Sequence, residues 1–214
     1  MTDLSRTSQK WIASFFLVAV LTALCARFID LPVALWVKET FIRNPAWAVT
    51  TGRMPDLLLH LVLLVSVGAC CLRLVRLRKG HVDNLNDFLL LASWDAPASF
   101  VAKALLKPLF GRLNNRLWLK NPDLYGFYWF QNRWGYDAFP SGHMLVLVAL
   151  LALLVRFFPV ARIPALLLAL VTSVALILTG YHFLSDIVAG CYLGIVVEAL
   201  VHAAICGRKA PSAA

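Results

Sequence analysis

Long apolar runs without charge constrain this chain more than any other feature of its sequence. Of its 214 residues, 61% are hydrophobic and only 14% are charged, and the mean hydropathy is +0.77. Soluble globular domains are much less apolar and carry about 25% charged residues. Because a helix that crosses a bilayer needs about 20 mostly apolar residues, the runs predict an all-helical integral membrane protein.

Six runs are candidates for membrane spans. Five are clear: Trp11 to Ala26, Leu57 to Leu72, Met144 to Val155, Ile163 to Tyr181 and Ile187 to Cys206. The sixth, Phe88 to Leu106, is interrupted by Asp95, Pro97 and Lys103, and we include it because the flanking loops need a crossing there. We therefore predict an all-α, polytopic bundle of six transmembrane helices that forms a single domain over residues 1–214.

Basic residues favour one orientation of this bundle. One face has the basic residues Arg6, Lys10, Arg73, Arg76, Arg78, Lys79, Arg156, Arg162, Arg208 and Lys209. The positive-inside rule makes that face cytoplasmic. We therefore expect a location in a bacterial inner membrane, with the functional site on the periplasmic or exterior face.

The opposite face is also strongly basic, so a count of charges alone does not decide orientation. Its cations gather around the connection after the third run: Lys103, Lys107, Arg112, Arg116, Lys120 and Arg133. They could bind phospholipid headgroups, as juxtamembrane basic segments do, or they could form an anion-binding active site. Composition leaves both explanations open.

A first histidine lies where this connection enters the fourth run. Pro140-Ser141-Gly142-His143 has the composition of a helix start, with Ser141 able to cap exposed amides and Gly142 allowing close approach of a ligand. The positive end of the helix dipole would face an anion. His143 would then lie in the first turn, where it could exchange a proton at neutral pH.

A second histidine returns to the same face after two crossings. His182 and Asp186 are four residues apart, so on a helix they would share one side. The carboxylate could then orient one imidazole nitrogen and leave the other free as a nucleophile. A purely structural His–Asp pair is the alternative, although ionisable residues at a span boundary are more often functional.

These blocks together resemble a known family. Lys107 with Arg112, then Phe-Pro-Ser-Gly-His, then Gly-Tyr-His-Phe-Leu-Ser-Asp followed by Ile-Val-Ala-Gly, are similar in order and spacing to the three signature blocks of the type-2 phosphatidic acid phosphatase superfamily of membrane lipid phosphatases. The resemblance covers about residues 103–194.

The resemblance implies a role for each matched position. His182 would attack phosphorus to give a phosphohistidine, Asp186 would orient it, and His143 would protonate the leaving oxygen. Phosphate-binding residues would be Lys107, Arg112, Ser141 and Gly142. No metal and no cofactor are implied. The expected partners are a lipid phosphate substrate and membrane lipids, without nucleic acid. Undecaprenyl diphosphate, phosphatidate, phosphatidylglycerol phosphate and phosphorylated lipid A are the substrates that the family offers.

The sequence departs from the family pattern at two cationic positions. The family's first block has an arginine and a proline where this chain has Asn114 and Asn115, and its third block has an arginine where this chain has Leu176. Each such contact to a phosphoryl group contributes roughly 1.5–3 kcal/mol. We expect Arg116 or Arg133 to complete the phosphate site.

Two other functions compete with hydrolysis. A phosphate site with fewer cations would favour transfer of the phosphate-containing group to the hydroxyl of another molecule. Sphingolipid synthases look similar in keeping two histidines and an aspartate with fewer cations. A lipid-binding or transport protein that kept the scaffold is the third possibility, but it would need neither a proton donor nor an oriented imidazole.

Outside the site, Glu198 and His202 are spaced for an ion pair within the last run.

Overall fold

The computed structural model describes residues 3–43 and 54–207, which are mostly helical and form no named β-strand. The long helices are α1 (Asp3–Leu24), α3 (Met54–Arg78), α4 (Asn84–Phe110), α6 (Gly142–Phe157), α7 (Arg162–Leu178) and α8 (Leu184–Cys206). Two shorter helices are α2 (Asp30–Val37) and α5 (Asn115–Trp118). The all-helical prediction is thus confirmed.

The first helical segment is much longer than its uncharged run. A π-helical stretch, Cys25–Ile29, joins α1 to α2, and a second one, Lys38–Ile42, follows α2. The uncharged run that ends at Ala26 is therefore shorter than the helical segment, because a search for uncharged residues stops at Arg27 while the backbone remains helical. The extension matters because it carries Asp30, which is only 1% exposed.

Each of the six predicted runs lies mostly within one long helix, although the run Ile163 to Tyr181 continues three residues beyond the end of α7 at Leu178. Four helical segments in the described part of the chain are long and apolar enough to cross a membrane: Thr7–Ile42, Asn84–Phe110, Pro159–Leu178 and Leu184–Cys206. Helix α6 is apolar but has 16 residues, which corresponds to about 24 Å. The chain is an integral membrane protein, whereas the number of six spans stays a prediction.

Two glycines allow α6 and α8 to pack at the centre of the bundle. A Cβ atom on Gly190 would lie 2.6 Å from the carbonyl oxygen of Ser141, and one on Gly194 would lie 2.6 Å from that of Leu145. Small residues four positions apart permit such close backbone approach between membrane helices. Because each helix begins next to a histidine, this packing sets the distance between the two histidines.

A buried acidic group lies farther along the same helices. Glu198 is 2% exposed and accepts hydrogen bonds from Arg156 Nε and Nη2 at 2.5 and 2.7 Å. The expected pair with His202 was therefore wrong, since the partner comes from α6 rather than from the next turn of α8. Asp95 of α4 is fully buried nearby.

Candidate active site

The two histidines meet at the end of the bundle where α6 and α8 begin. His143 Nδ1 lies 3.3 Å from His182 Nε2, with ring centroids 5.5 Å apart. Ser141 caps α6 by accepting from the amide of Met144 at 3.4 Å, as the sequence predicted. Its own amide donates to the carbonyl oxygen of Asp186 at 3.0 Å, so a backbone hydrogen bond ties the two histidine-bearing segments together.

His182 lies next to the carboxylate of Asp186, but not on the same helix. Helix α8 begins at Leu184, so His182 belongs to the turn before it, contrary to the expected helical pair. Its Nδ1 is 3.5 Å from Asp186 Oδ2, a distance that allows an ion pair but lacks hydrogen-bond geometry. Because His182 is only 5% exposed, the carboxylate acts on a ring that is largely shielded from water.

Asp186 itself is held from several directions. Its Oδ2 accepts from the amide of Phe183 at 2.9 Å, which satisfies a donor at the start of α8. Its Oδ1 accepts from Arg112 Nη1 at 2.6 Å. The carboxylate is fully buried, and these contacts fix its orientation toward His182.

Arg112 joins Asp186 to a second buried carboxylate. Its Nη2 donates to Asp30 Oδ2 at 2.7 Å, and Asp30 Oδ1 accepts from the amide of Ser185 at 3.0 Å. Arg112 is 1% exposed. The structure thus gives Arg112 carboxylate partners where the sequence predicted a phosphate. Its phosphate-binding role stays a prediction, and any phosphate would have to compete with two buried anions.

Aromatic rings enclose the Arg112 guanidinium. The rings of Phe183, Phe127 and Tyr125 lie 4.5, 4.9 and 5.3 Å from its central carbon. Tyr125 also accepts from Arg112 Nη2 at 2.9 Å and donates to the carbonyl of Ala26. Burial, opposed by the charge of Arg112, raises the pKa of Tyr125 to about 12, so its hydroxyl keeps the proton that it donates. These contacts favour Arg112 as a permanent member of the ion-pair network rather than as a side chain that moves to bind phosphate.

The remaining predicted phosphate ligands occupy different places. Lys107 pairs with Asp137 at 3.3 Å, and the charge of Lys107 acts on His143. Gly142 lies buried at the start of α6. Arg116 donates to the carbonyl of Thr179 at 2.9 Å, and Arg133 is exposed on the loop surface. Both arginines stay predictions as phosphate ligands.

Sequence reasoning missed one charged residue at this end of the bundle and assigned no specific role to another. Asp30 was hidden because it lies just beyond the first uncharged run, 82 positions from the arginine that it binds. Lys103 was counted among the cations around the connection after the third run but was given no role of its own, yet its aliphatic chain covers Gly142 and its charge acts on His143. The four-residue spacing of Lys103 and Lys107 was the one signal that could have placed both on the same side of α4.

An apolar cavity of about 460 Å³ adjoins the site between α1, α4 and α8. Its wall includes Phe110 and Phe139, which neighbour Gly111 and Pro140 in sequence, and Ala189, which precedes the close-packed Gly190. Along the first helical segment the cavity extends from Ala26, in the π-helical stretch, to Phe15 of α1, a helical distance of roughly 16 Å. It therefore runs from the polar end of the bundle toward its apolar middle.

Comparisons with known proteins agree with this fold. The sequence profile of the PAP2 superfamily matches residues 90–209, more than half of the chain and including both histidines and Asp186. The chain is 23% identical over 192 residues to a lipid A 1-phosphatase of Rhizobium etli, covering 86% of this chain and 81% of that protein.

A solved structure shares the architecture. The crystal structure of a transmembrane PAP2-type phosphatidylglycerolphosphate phosphatase from Bacillus subtilis superposes with a TM-score of 0.52 and 19% identity, covering 94% of this chain and 98% of the other. The site and fold define a membrane protein with a paired-histidine centre. The chain belongs to the PAP2 superfamily, as its three sequence blocks predicted. Asp30 lies outside residues 90–209, the part of the chain that the PAP2 profile matches.

Proposed function

We propose that this protein is an integral membrane phosphatase that hydrolyses a lipid phosphate or diphosphate through a phosphohistidine intermediate. The single observation that carries the proposal is the buried chain of contacts Asp30–Arg112–Asp186–His182, which ends 3.3 Å from His143. A binding protein would not need to orient one imidazole and set a second one beside its free nitrogen.

The reaction follows from the placement of the two rings. His182 Nε2 attacks phosphorus, and the bond from phosphorus to the lipid oxygen breaks. His143 gives its proton to the departing oxygen and then takes a proton from the water that hydrolyses the phosphohistidine. Asp186 stabilises the positive charge that develops on His182 during attack. In this scheme Arg112 and Asp30 are positioning residues, because they act through Asp186.

Substrate binding must widen the contact between the histidines. Before reaction, the attacking nitrogen of His182 must lie about 3–3.5 Å from phosphorus. The distance from this nitrogen to His143 Nδ1 is itself only 3.3 Å, which leaves no room for a phosphoryl group between the rings. A phosphoryl group therefore has to separate the rings. His143, which is less buried than His182, is the ring that we expect to move.

The neighbouring cavity supports a lipid substrate. Its lining is almost entirely apolar, with Thr22 and Tyr192 as the exceptions, so it would favour hydrocarbon over a water-soluble phosphate ester. An alkyl or acyl chain could lie between α1 and α8 while the phosphate reaches the histidines. By the positive-inside rule, we place this end of the bundle on the non-cytoplasmic face of a bacterial inner membrane.

A direct assay tests the proposal. Purified protein is incubated with phosphatidate, phosphatidylglycerol phosphate, undecaprenyl diphosphate and lipid A, in parallel without and with EDTA, and phosphate release is measured. Wild type should release phosphate from at least one substrate, and His182→Ala should release none above background. His81→Ala, which alters an exposed histidine between α3 and α4, is the matched control and should behave as wild type.

The same experiment separates the alternatives. Absence of release from every substrate would overturn the hydrolase proposal, and phosphate transfer to an added lipid alcohol would favour a phosphotransferase. Loss of release on adding EDTA would contradict a metal-independent reaction. Acid-labile, alkali-stable labelling of wild type by radioactive substrate, absent in His182→Ala, would support the phosphohistidine.

A further inference from the structure

The site as predicted is short of cations for a phosphate. A phosphoryl group in transfer spreads negative charge over three oxygens and needs positive partners. Two family arginines are replaced by Asn114 and Leu176, and Arg112 is bound by Asp30 and Asp186. Lys107 remains, but it already pairs with Asp137. Another cation is therefore needed close to the histidines.

Lys103 lies where such a cation would be useful. It is one helical turn before Lys107 on α4 and half-buried. Its methylene groups pass directly over Gly142, where a Cβ atom would overlap with them. Because Gly142 is the first residue of α6, the lysine crosses the helix start whose first-turn amides have no acceptor within the helix. Its positive charge acts on His143.

The ammonium of Lys103 has no carboxylate partner among residues 3–43 and 54–207. It lies over the ring of Phe100, 4.2 Å from the ring centroid. Lys107, the neighbouring cation, repels it. Two ammonium groups with one carboxylate leave net positive charge at the histidines, and binding of an anion would relieve this repulsion.

We propose that Lys103 is a second phosphate-binding cation of this site and, together with Lys107 and the first-turn amides of α6, binds the nonbridging phosphoryl oxygens. The proposal rests on the proposed phosphatase function. Rotation about the terminal bonds of the flexible lysine side chain carries the ammonium from Phe100 toward the histidines. Lys103 thereby takes the electrostatic role of the arginines absent at 114 and 176.

The arginines expected from sequence are worse placed for this role. The Arg116 guanidinium stacks on Tyr181 at 4.1 Å and donates twice to the carbonyl of Thr179. Arg133 lies exposed beyond the buried turn that leads to Phe139. The methylene groups of Lys103, in contrast, fill the space where a side chain at Gly142, the residue next to His143, would lie.

Substitution by methionine tests the proposal while preserving the packing over Gly142. The measurements are kcat and KM with the best substrate, and the affinity for orthovanadate, a phosphoryl mimic, from its stabilisation of the full-length protein against heat. Lys103→Met should lower kcat/KM and weaken vanadate binding by about 10- to 100-fold. Lys103→Arg should restore most of both. Lys79→Met, at an exposed lysine between α3 and α4, is the control and should change neither.

Each result decides the proposal. Vanadate affinity within twofold of wild type in a folded Lys103→Met protein would overturn it. If Lys103→Met does not fold, Lys103→Gln replaces it under the same criterion. If vanadate binding depends on Lys103 but the protein hydrolyses no lipid phosphate, Lys103 is supported as a phosphate-binding residue and the proposed hydrolase activity is overturned. A wild type that neither binds vanadate nor hydrolyses would overturn both.

Discussion

Two buried ionic groups lie about 20 Å apart along α6 and α8, and they differ in how completely their charges are satisfied. Near the histidines, Asp30 and Asp186 share Arg112, and each of their four carboxylate oxygens accepts a hydrogen bond. At the other group, Arg156 binds Glu198, but neither oxygen of the fully buried Asp95 has a hydrogen-bond partner in the described part of the chain.

The difference in exposure is equally clear. The Arg112 side chain is 1% exposed, whereas that of Arg156 is 42% exposed. A buried network whose carboxylate oxygens are all hydrogen-bonded can hold a catalytic group in one orientation, while water near Arg156 reduces the strength of its ion pair. We infer that the first group serves the reaction and that the second mainly holds α6 against α8.

The largest effect should come from the carboxylate nearest to the nucleophile. Asp186→Asn keeps the size of the side chain but removes the charge that stabilises the His182 cation, so kcat should fall by roughly 10³- to 10⁴-fold. Kinetics of the folded protein check this. A decrease of less than tenfold would show that the Asp30–Arg112–Asp186 network does not support catalysis.

Removing the shared arginine should be the most destabilising change. Arg112→Leu leaves Asp30 and Asp186 buried without a cation, at an expected cost of about 3–5 kcal/mol in unfolding free energy. Thermal unfolding in detergent measures it. The double variant Arg112→Leu with Asp30→Asn should be more stable than Arg112→Leu alone, because one uncompensated charge is gone; strictly additive effects would contradict the coupling.

A methyl group between the helices should disturb both ionic groups at once. Gly194→Ala places its Cβ against the carbonyl of Leu145 and should lower stability by about 1–3 kcal/mol, with reduced activity because the two histidines move apart. Gly68→Ala is the matched control, since its Cβ would meet open space. For Gly68→Ala the main effect should be a gain in stability of about 0.5–1 kcal/mol from the higher helix propensity of alanine. Equal changes in stability for the two variants would contradict tight packing of α6 against α8 at Gly194.

The smallest effect is expected at the more exposed pair. Arg156→Leu should lower stability by about 1–3 kcal/mol, less than Arg112→Leu because it leaves one buried carboxylate, Glu198, without its cation rather than two. Activity per folded molecule should remain that of wild type. A loss of activity above tenfold, measured alongside thermal stability, would mean that the two ionic groups do not have separate roles.

Much of the site was predictable because its chemistry is encoded locally. Ser141, Gly142 and His143 form a helix start recognisable from four consecutive residues, and the structure places α6 there. The parity of the crossings predicted that His182 would return to the same end. The helical His182–Asp186 pair was wrong in detail because α8 begins only at Leu184, although the two side chains still approach one another.

The sequence by itself determined the apolar helices, the paired histidines and the family, because apolar runs and short motifs are local properties of the chain. Only the tertiary structure decided that Arg112 binds Asp30, that Lys103 crosses the start of α6, and that Glu198 pairs with Arg156 rather than His202. The physical reason is that side chains distant in sequence meet only where helices pack closely. Here that packing depends on the missing side chains of Gly190 and Gly194.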